Sequence, residues 1–164
     1  MLGMRTWAGW GSDAGDAGGE IVSFTMGVLR SAAPGPALAG HARSKGQGVR
    51  VIAGAAANGV GIVARSGSGI EKLSDLKGRR IATPQHGNTQ DIAARHYVVY
   101  ELGQADHSNV LAIPNAEQAG MMQRGQIDAA WVPEPWAARL VAETGAKLLK
   151  EEKDLWPGGE FALA

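Results

Sequence analysis

Arg80-Ile-Ala-Thr-Pro-Gln-His-Gly-Asn-Thr-Gln-Asp91 is the stretch from which the fold is read. It begins as a short strand-like run, is stopped by Pro84, crosses a polar loop with a glycine and enters a helical pattern at Asp91. That helix is predicted over 91–102, with Ile92, Ala93, Val99 and Leu102 on one side and Gly103 as its stop. The alternation continues downstream. Val110 to Ile113 is a strand ended by Pro114, and Asn115 is an N-cap paired with Gln118 in a capping-box pattern. The helix that follows runs to Arg124 and stops at Gly125. Ile127 to Val132 is the next strand, Pro135 takes the first helical position of a helix to Thr144, Gly145 ends it, and Lys147-Leu-Leu closes the series. Strands and helices alternating over short connections indicate a parallel sheet with helices on both faces.

Upstream, the composition changes near residue 48. Gly9 to Gly19 is rich in Gly and Ala and reads as flexible chain, and no structure is assigned to residues 1–30. Val49-Arg-Val-Ile-Ala and Gly61-Ile-Val-Ala-Arg are short β-branched runs and are predicted as strands, with one helical turn at Ser74 to Gly78. No internal repeat is visible.

Composition narrows the function classes. The 164 residues suit one domain or two small lobes and can bury a sizeable core. Lys plus Arg and Asp plus Glu are both 16, so the formal charge is zero and no footprint for nucleic acid or an anionic membrane exists. The absence of cysteine excludes disulfides, thiolate zinc sites and cysteine nucleophiles. No run approaches the ~20 apolar residues of a membrane span. Residues 1–9 lack an apolar core behind a basic start, so the chain as written carries no secretory signal and is expected to stay in the cytoplasm.

Ligands of open parallel sheets bind beyond the carboxyl ends of the strands, where loops lead into helices. Thr83 to Asp91 forms the first such loop: Gly87 lets the backbone approach a ligand, Asn88 and Thr89 offer donors, and the helix start favours an anion. The plainer reading is a helix cap made by Asn88 or Thr89. Ile113-Pro-Asn115 adds little beyond a cap. Trp131-Val-Pro-Glu-Pro-Trp136 places two tryptophans around a turn, offering flat walls and, in Glu134, an acceptor; the alternative is that Trp131 packs in the core and Trp136 seats its helix. Catalytic patterns fail. His41, His86, His96 and His107 lack metal-ligand spacing, Ser66-Gly-Ser-Gly69 is no nucleophile elbow, and Gly59-Val-Gly-Ile-Val-Ala64 lies inside a strand rather than before a helix. The loops together describe a non-covalent pocket for a small anion, with no cofactor, no metal and no enzymatic chemistry.

Gln47-Gly-Val-Arg-Val-Ile-Ala, Leu73-Ser-Asp-Leu-Lys-Gly-Arg-Arg-Ile-Ala-Thr-Pro-Gln, Gly87-Asn-Thr-Gln-Asp, Gly125-Gln-Ile-Asp-Ala-Ala-Trp-Val-Pro-Glu-Pro-Trp-Ala and Glu152-Lys-Asp-Leu-Trp-Pro-Gly-Gly lie in order along the chain. Over roughly residues 34–164 they resemble the aliphatic-sulfonate/nitrate/taurine solute-binding proteins of ABC importers. The resemblance implies an α/β fold of the type II periplasmic-binding-protein kind: one parallel-sheet lobe with helices on both faces, plus an incomplete partner lobe. It implies a Gly/Ala-rich segment over 1–33, a remnant of the first lobe with crossing strands over 34–67, the second ligand-binding lobe over 68–158, and the start of a return strand over 159–164. The ligand residues it implies are Gln85, His86, Gly87, Asn88, Thr89 and Gln90 around the anionic head group, Trp131, Glu134 and Trp136 in the second-lobe cleft segment, and Gly35 and Pro36 facing them. The implied ligand is a sulfonate-like anion, with taurine and nitrate open, the implied partner is a transporter permease, and the implied location is periplasmic. The family's opening strand and helix are not recognisable in residues 1–30, and the chain stops where a strand should re-enter the first lobe. The expectation is therefore a truncated or frame-disrupted copy. The alternatives are a non-functional fragment, an enzyme or binding protein of thiamine-pyrimidine-precursor synthesis on the same fold, and the effector domain of a transcription regulator; no helix-turn-helix segment or basic patch supports the last.

Overall fold

A computed structural model describes residues 24–26, 29–31, 36–48, 50 and 59–156. The predicted strand at Val49 to Ala53 lies, apart from Arg50, outside the described residues, as does Gly35. The first elements are the antiparallel pair β1 (Phe24–Met26) and β2 (Leu29–Ser31), followed by helix α1 (Pro36–Ser44).

The remaining chain builds one five-stranded sheet from β3 (Val60–Ala64), β4 (Ile81–Thr83), β5 (Val110–Ala112), β6 (Ala129–Pro133) and β7 (Lys147–Glu151), in the order β5-β4-β6-β3-β7. Between them run α2 (Thr89–His96), α3 (Asn115–Gln123) and α4 (Trp136–Thr144). β4 pairs in parallel with β5 and β6, as the alternation predicted. β3 is the exception: it is antiparallel to both β6 and β7 and sits between them, so the sheet is mixed.

Period-two alternation sorts the core onto the two faces. Ala129 and Trp131 of β6, with Val60, Ile62 and Ala64 of β3, join Ala93, Ala94 and Val98 beneath α2. Ala130 and Val132 of β6, with Val63 of β3, meet Met122 of α3 and Ala137 and Leu140 of α4 on the other face. Gly61 allows α4 to come down onto β3. A Cβ at this position would stand 2.8 Å from the Ala137 Cβ, so only glycine fits.

Several boundaries differ from the sequence reading. The helix after β4 starts at Thr89 rather than Asp91 because Asn88 caps it, and beyond His96 it widens into a π-helical turn, Tyr97–Glu101. Ile92, expected on the apolar side, is exposed; the small Ala93 and Ala94 face the sheet instead and let the helix approach closely. Pro114, not Asn115, precedes α3. Gln118 reaches back to donate to the Ile113 carbonyl at 2.8 Å and to Asn115 Oδ1 at 3.4 Å. Likewise Pro135 stands just before α4 rather than in it, after a cis Glu134–Pro135 bond. The glycine stops hold: Gly125 and Gly145 have φ of 68° and 66°, a left-handed conformation open to glycine at little strain.

Candidate functional site

β4 and β6 are neighbours, yet the helix after β4 lies on one face and the helix after β6 on the other. This is the switch-point arrangement, in which a crevice opens beyond the carboxyl ends of two adjacent strands. The loops that flank it are Pro84–Asn88 and Glu134–Pro135, the two that the sequence had singled out.

The first loop is built around Asp91, which is 1% exposed. Its carboxylate accepts from the Thr83 hydroxyl (2.9 Å), the Gly87 N–H (2.9 Å) and Arg95 Nε (2.8 Å), and His86 Nδ1 stands 3.4 Å away. Its own N–H donates to Asn88 Oδ1 at 2.8 Å, so Asn88 is the N-cap. Burial pushes the Asp91 carboxyl up, but the bonds from Arg95, Gly87 and Thr83 and the charge of Arg95 outweigh it and hold it below its ordinary value. Gly87 has φ of 76° with open space where a Cβ would point, so the backbone turn and not crowding requires glycine. The Gly87 N–H, expected to meet a ligand, is turned inward onto Asp91.

What remains open is the first turn of α2. The N–H groups of Thr89 and Gln90 are helix-start donors without intrahelical acceptors. Thr89 and Gln90 are only 7% and 6% exposed, and neither side chain has a hydrogen-bond partner among the described residues. Two unpaired polar side chains over two free N–H groups offer a set of donors to a ligand. Gln85 is half-buried and accepts from the Asn88 N–H at 3.4 Å, and His86 is exposed.

The second loop is plainer than expected. Trp131 is fully buried, its indole N–H donating to Glu152, so it forms core and not a wall of the crevice. Glu134 accepts from the Ala138 N–H at 3.1 Å and thereby caps α4. Trp136 stays half-buried at the start of α4, with the Arg139 guanidinium 4.8 Å from its ring centroid. Pro36 opens α1, and nothing further places it in the site. Sequence reasoning missed Asp91 and Arg95. Their i,i+4 spacing was visible, but it signals an ordinary surface pair as readily as a buried one.

Among the described residues no group of His, Asp or Glu is arranged to hold a metal, and no helix is long and apolar enough to cross a membrane.

Residues 18–160 match the NMT1-like family. The chain belongs to that family. No curated protein matches it. Solved structures similar to this NMT1-like chain include the alkanesulfonate-binding protein SsuA from Xanthomonas axonopodis pv. citri bound to MOPS, at 24% identity and TM-score 0.50, covering 63% of this chain and 36% of that one. The periplasmic nitrate-binding protein NrtA from Synechocystis PCC 6803 matches at 18% identity and TM-score 0.52, covering 61% and 29%. The ligand-binding component of an ABC-type import system from Staphylococcus aureus, with zinc bound, matches at 16% identity and TM-score 0.60, covering 79% and 45%. The NMT1-like chain therefore spans between about a third and a half of the length of these proteins. The likeness shows the fold, a mixed α/β lobe of the type II periplasmic-binding-protein kind, and agrees with the resemblance carried by the sequence motifs.

Proposed function

We propose that the chain is the ligand-binding component of an ABC-type importer and takes up a small anion of the sulfonate class, non-covalently, at the start of α2. The observation that carries this reading is the pair Thr89 and Gln90, whose side chains have no hydrogen-bond partner among the described residues, above free N–H groups at the positive end of a helix. An anionic oxygen group supplies the acceptors that this set lacks. Trp136, at the start of the helix after the neighbouring strand, offers an apolar surface to the rest of the ligand, while the Arg139 over its ring is already paired with Glu143 at 2.8 Å. The similar sulfonate- and nitrate-binding proteins support this ligand class. Delivery to a permease outside the cytoplasm, and a second lobe or segment closing over the anion, belong to the same reading.

Thermal unfolding with and without millimolar MOPS, taurine, sulfate and nitrate tests it, since a ligand that binds the native state raises the melting temperature by mass action. A shift with a sulfonate that exceeds the shift with sulfate supports the proposal. A cooperative transition that no anion moves overturns it.

A further inference from the structure

We infer that Asp91 is the positioning residue of the anion loop: by drawing the Gly87 N–H inward and pairing with Arg95, it leaves Thr89 and Gln90 as the donors that meet the ligand. The inference rests on the anion reading above.

A carboxylate is an acceptor only, with room for about four hydrogen bonds. Asp91 accepts three such bonds from three separate pieces of chain: Thr83 at the end of β4, Gly87 in the loop, and Arg95 one turn along α2. Each partner fixes a different part of the loop relative to the helix start. Removing the carboxylate frees Gly87 at its left-handed turn, and the loop loses the constraint that keeps it off the first turn of α2.

Charge is the second half of the argument. A bare carboxylate buried directly behind an anion site would repel the ligand, and at low local dielectric that repulsion is strong. Arg95 cancels it at 2.8 Å and is itself held by His107 Nδ1 at 2.6 Å and the Val110 carbonyl at 3.2 Å. The ligand thus meets a neutral pair beneath it and the helix N–H groups in front of it. Arg95 is 19% exposed at its side chain and serves here as the counter-charge of Asp91, not as a contact of the ligand.

The test uses the full chain, with MOPS and nitrate as probes, in four versions: wild type, Asp91→Asn, Arg95→Gln and the double variant. Melting without anion reads stability, and isothermal titration reads affinity. Each single substitution should weaken anion binding at least about tenfold, the loss expected when a hydrogen bond to a charged group goes. The double variant should bind better than Arg95→Gln, because the uncompensated carboxylate is gone; a role in stability alone would make the losses simply add. Thr83→Val, which removes one bond to Asp91, should lower affinity in the same direction by less, and it carries the test if Asp91→Asn does not fold. Wild-type affinity in the folded single variants, or in Thr83→Val, overturns the proposal alone. A wild-type chain that binds neither probe overturns the anion reading and this inference together.

Discussion

The indole Nε1 of Trp131 donates to Glu152 Oε2 at 2.5 Å, with both side chains buried. Trp131 stands in β6 under α2, its ring 5.7 Å from that of Tyr97, while Glu152 begins the 3₁₀ turn that follows β7. One hydrogen bond thus ties the outer end of the sheet to its centre. Burial pushes the Glu152 carboxyl above its ordinary value near 4.5, and the bonds from Trp131 and Trp156 only partly offset this.

A raised folded value has a definite sign. The uncharged form is favoured in the fold, so the contribution of Glu152 to stability is fully present below the unfolded value and is lost as pH rises through the folded one. Glu152→Gln, neutral at every pH, should gain on the wild type over that same interval. Urea denaturation of both proteins from pH 4 to pH 8 measures it, and a stability difference independent of pH would refute the assignment.

Asp128 should behave in the opposite sense. Its carboxylate, near the amino ends of β4 and β6, accepts from Arg80 Nε at 3.0 Å and Arg65 Nη2 at 3.3 Å, and from the Arg80 N–H at 3.2 Å. Burial pushes it up, but the bonds from Arg80 and Arg65 outweigh this and hold it below its ordinary value of 3.8. The stability it contributes is therefore present above 3.8 and is lost as pH falls through the lower folded value. Asp128→Asn should lower the denaturation midpoint at neutral pH, and the gap to wild type should close only in strong acid.

Gly61→Ala places a methyl group against Ala137, with 2.8 Å between the two Cβ atoms and the Leu148 Cδ1 at 3.2 Å. Overpacking of this kind costs about 1–3 kcal/mol. Because the clash is with one small side chain, Gly61→Ala combined with Ala137→Gly should recover part of the loss, less the roughly 1 kcal/mol that a helix-interior glycine costs. Chemical denaturation of the two singles and the double completes the cycle, and a strictly additive double would place the strain elsewhere.

Much of this architecture was legible because it depends on local rules. Gly125 and Gly145 end helices by backbone conformation, and Ile127 to Val132 read as a strand, whose Ala129, Ala130, Trp131 and Val132 the fold buries on both faces. The errors fall where a residue's role depends on a distant partner. Trp131 looked like a wall of the pocket because the strand was taken to end at Val132; pairing with β3 continues through Pro133, which leaves Trp131 inside the sheet. Asp91 looked like an ordinary acid in the first turn of a helix, since nothing local reveals that Thr83 and Gly87 fold back onto it. The antiparallel insertion of β3 was illegible for the same reason, as strand order is set by non-local pairing.

Thr89 and Gln90 give the sharpest separation of binding from folding. Neither side chain makes a hydrogen bond within the described residues, so an apolar group of similar shape removes no hydrogen bond from the fold. If these side chains existed for structure, Thr89→Val and Gln90→Met would lower the melting temperature. If they wait for an anion, the variants should melt at or above the wild-type temperature without ligand and should lose most of the shift that MOPS or nitrate produces. The main-chain N–H groups of α2 remain in both variants, so some residual binding is expected. Differential scanning fluorimetry across a ligand titration reads both quantities from one experiment: equal shifts in wild type and variants would remove Thr89 and Gln90 from the site, and a lower melting temperature with an unchanged shift would make them structural.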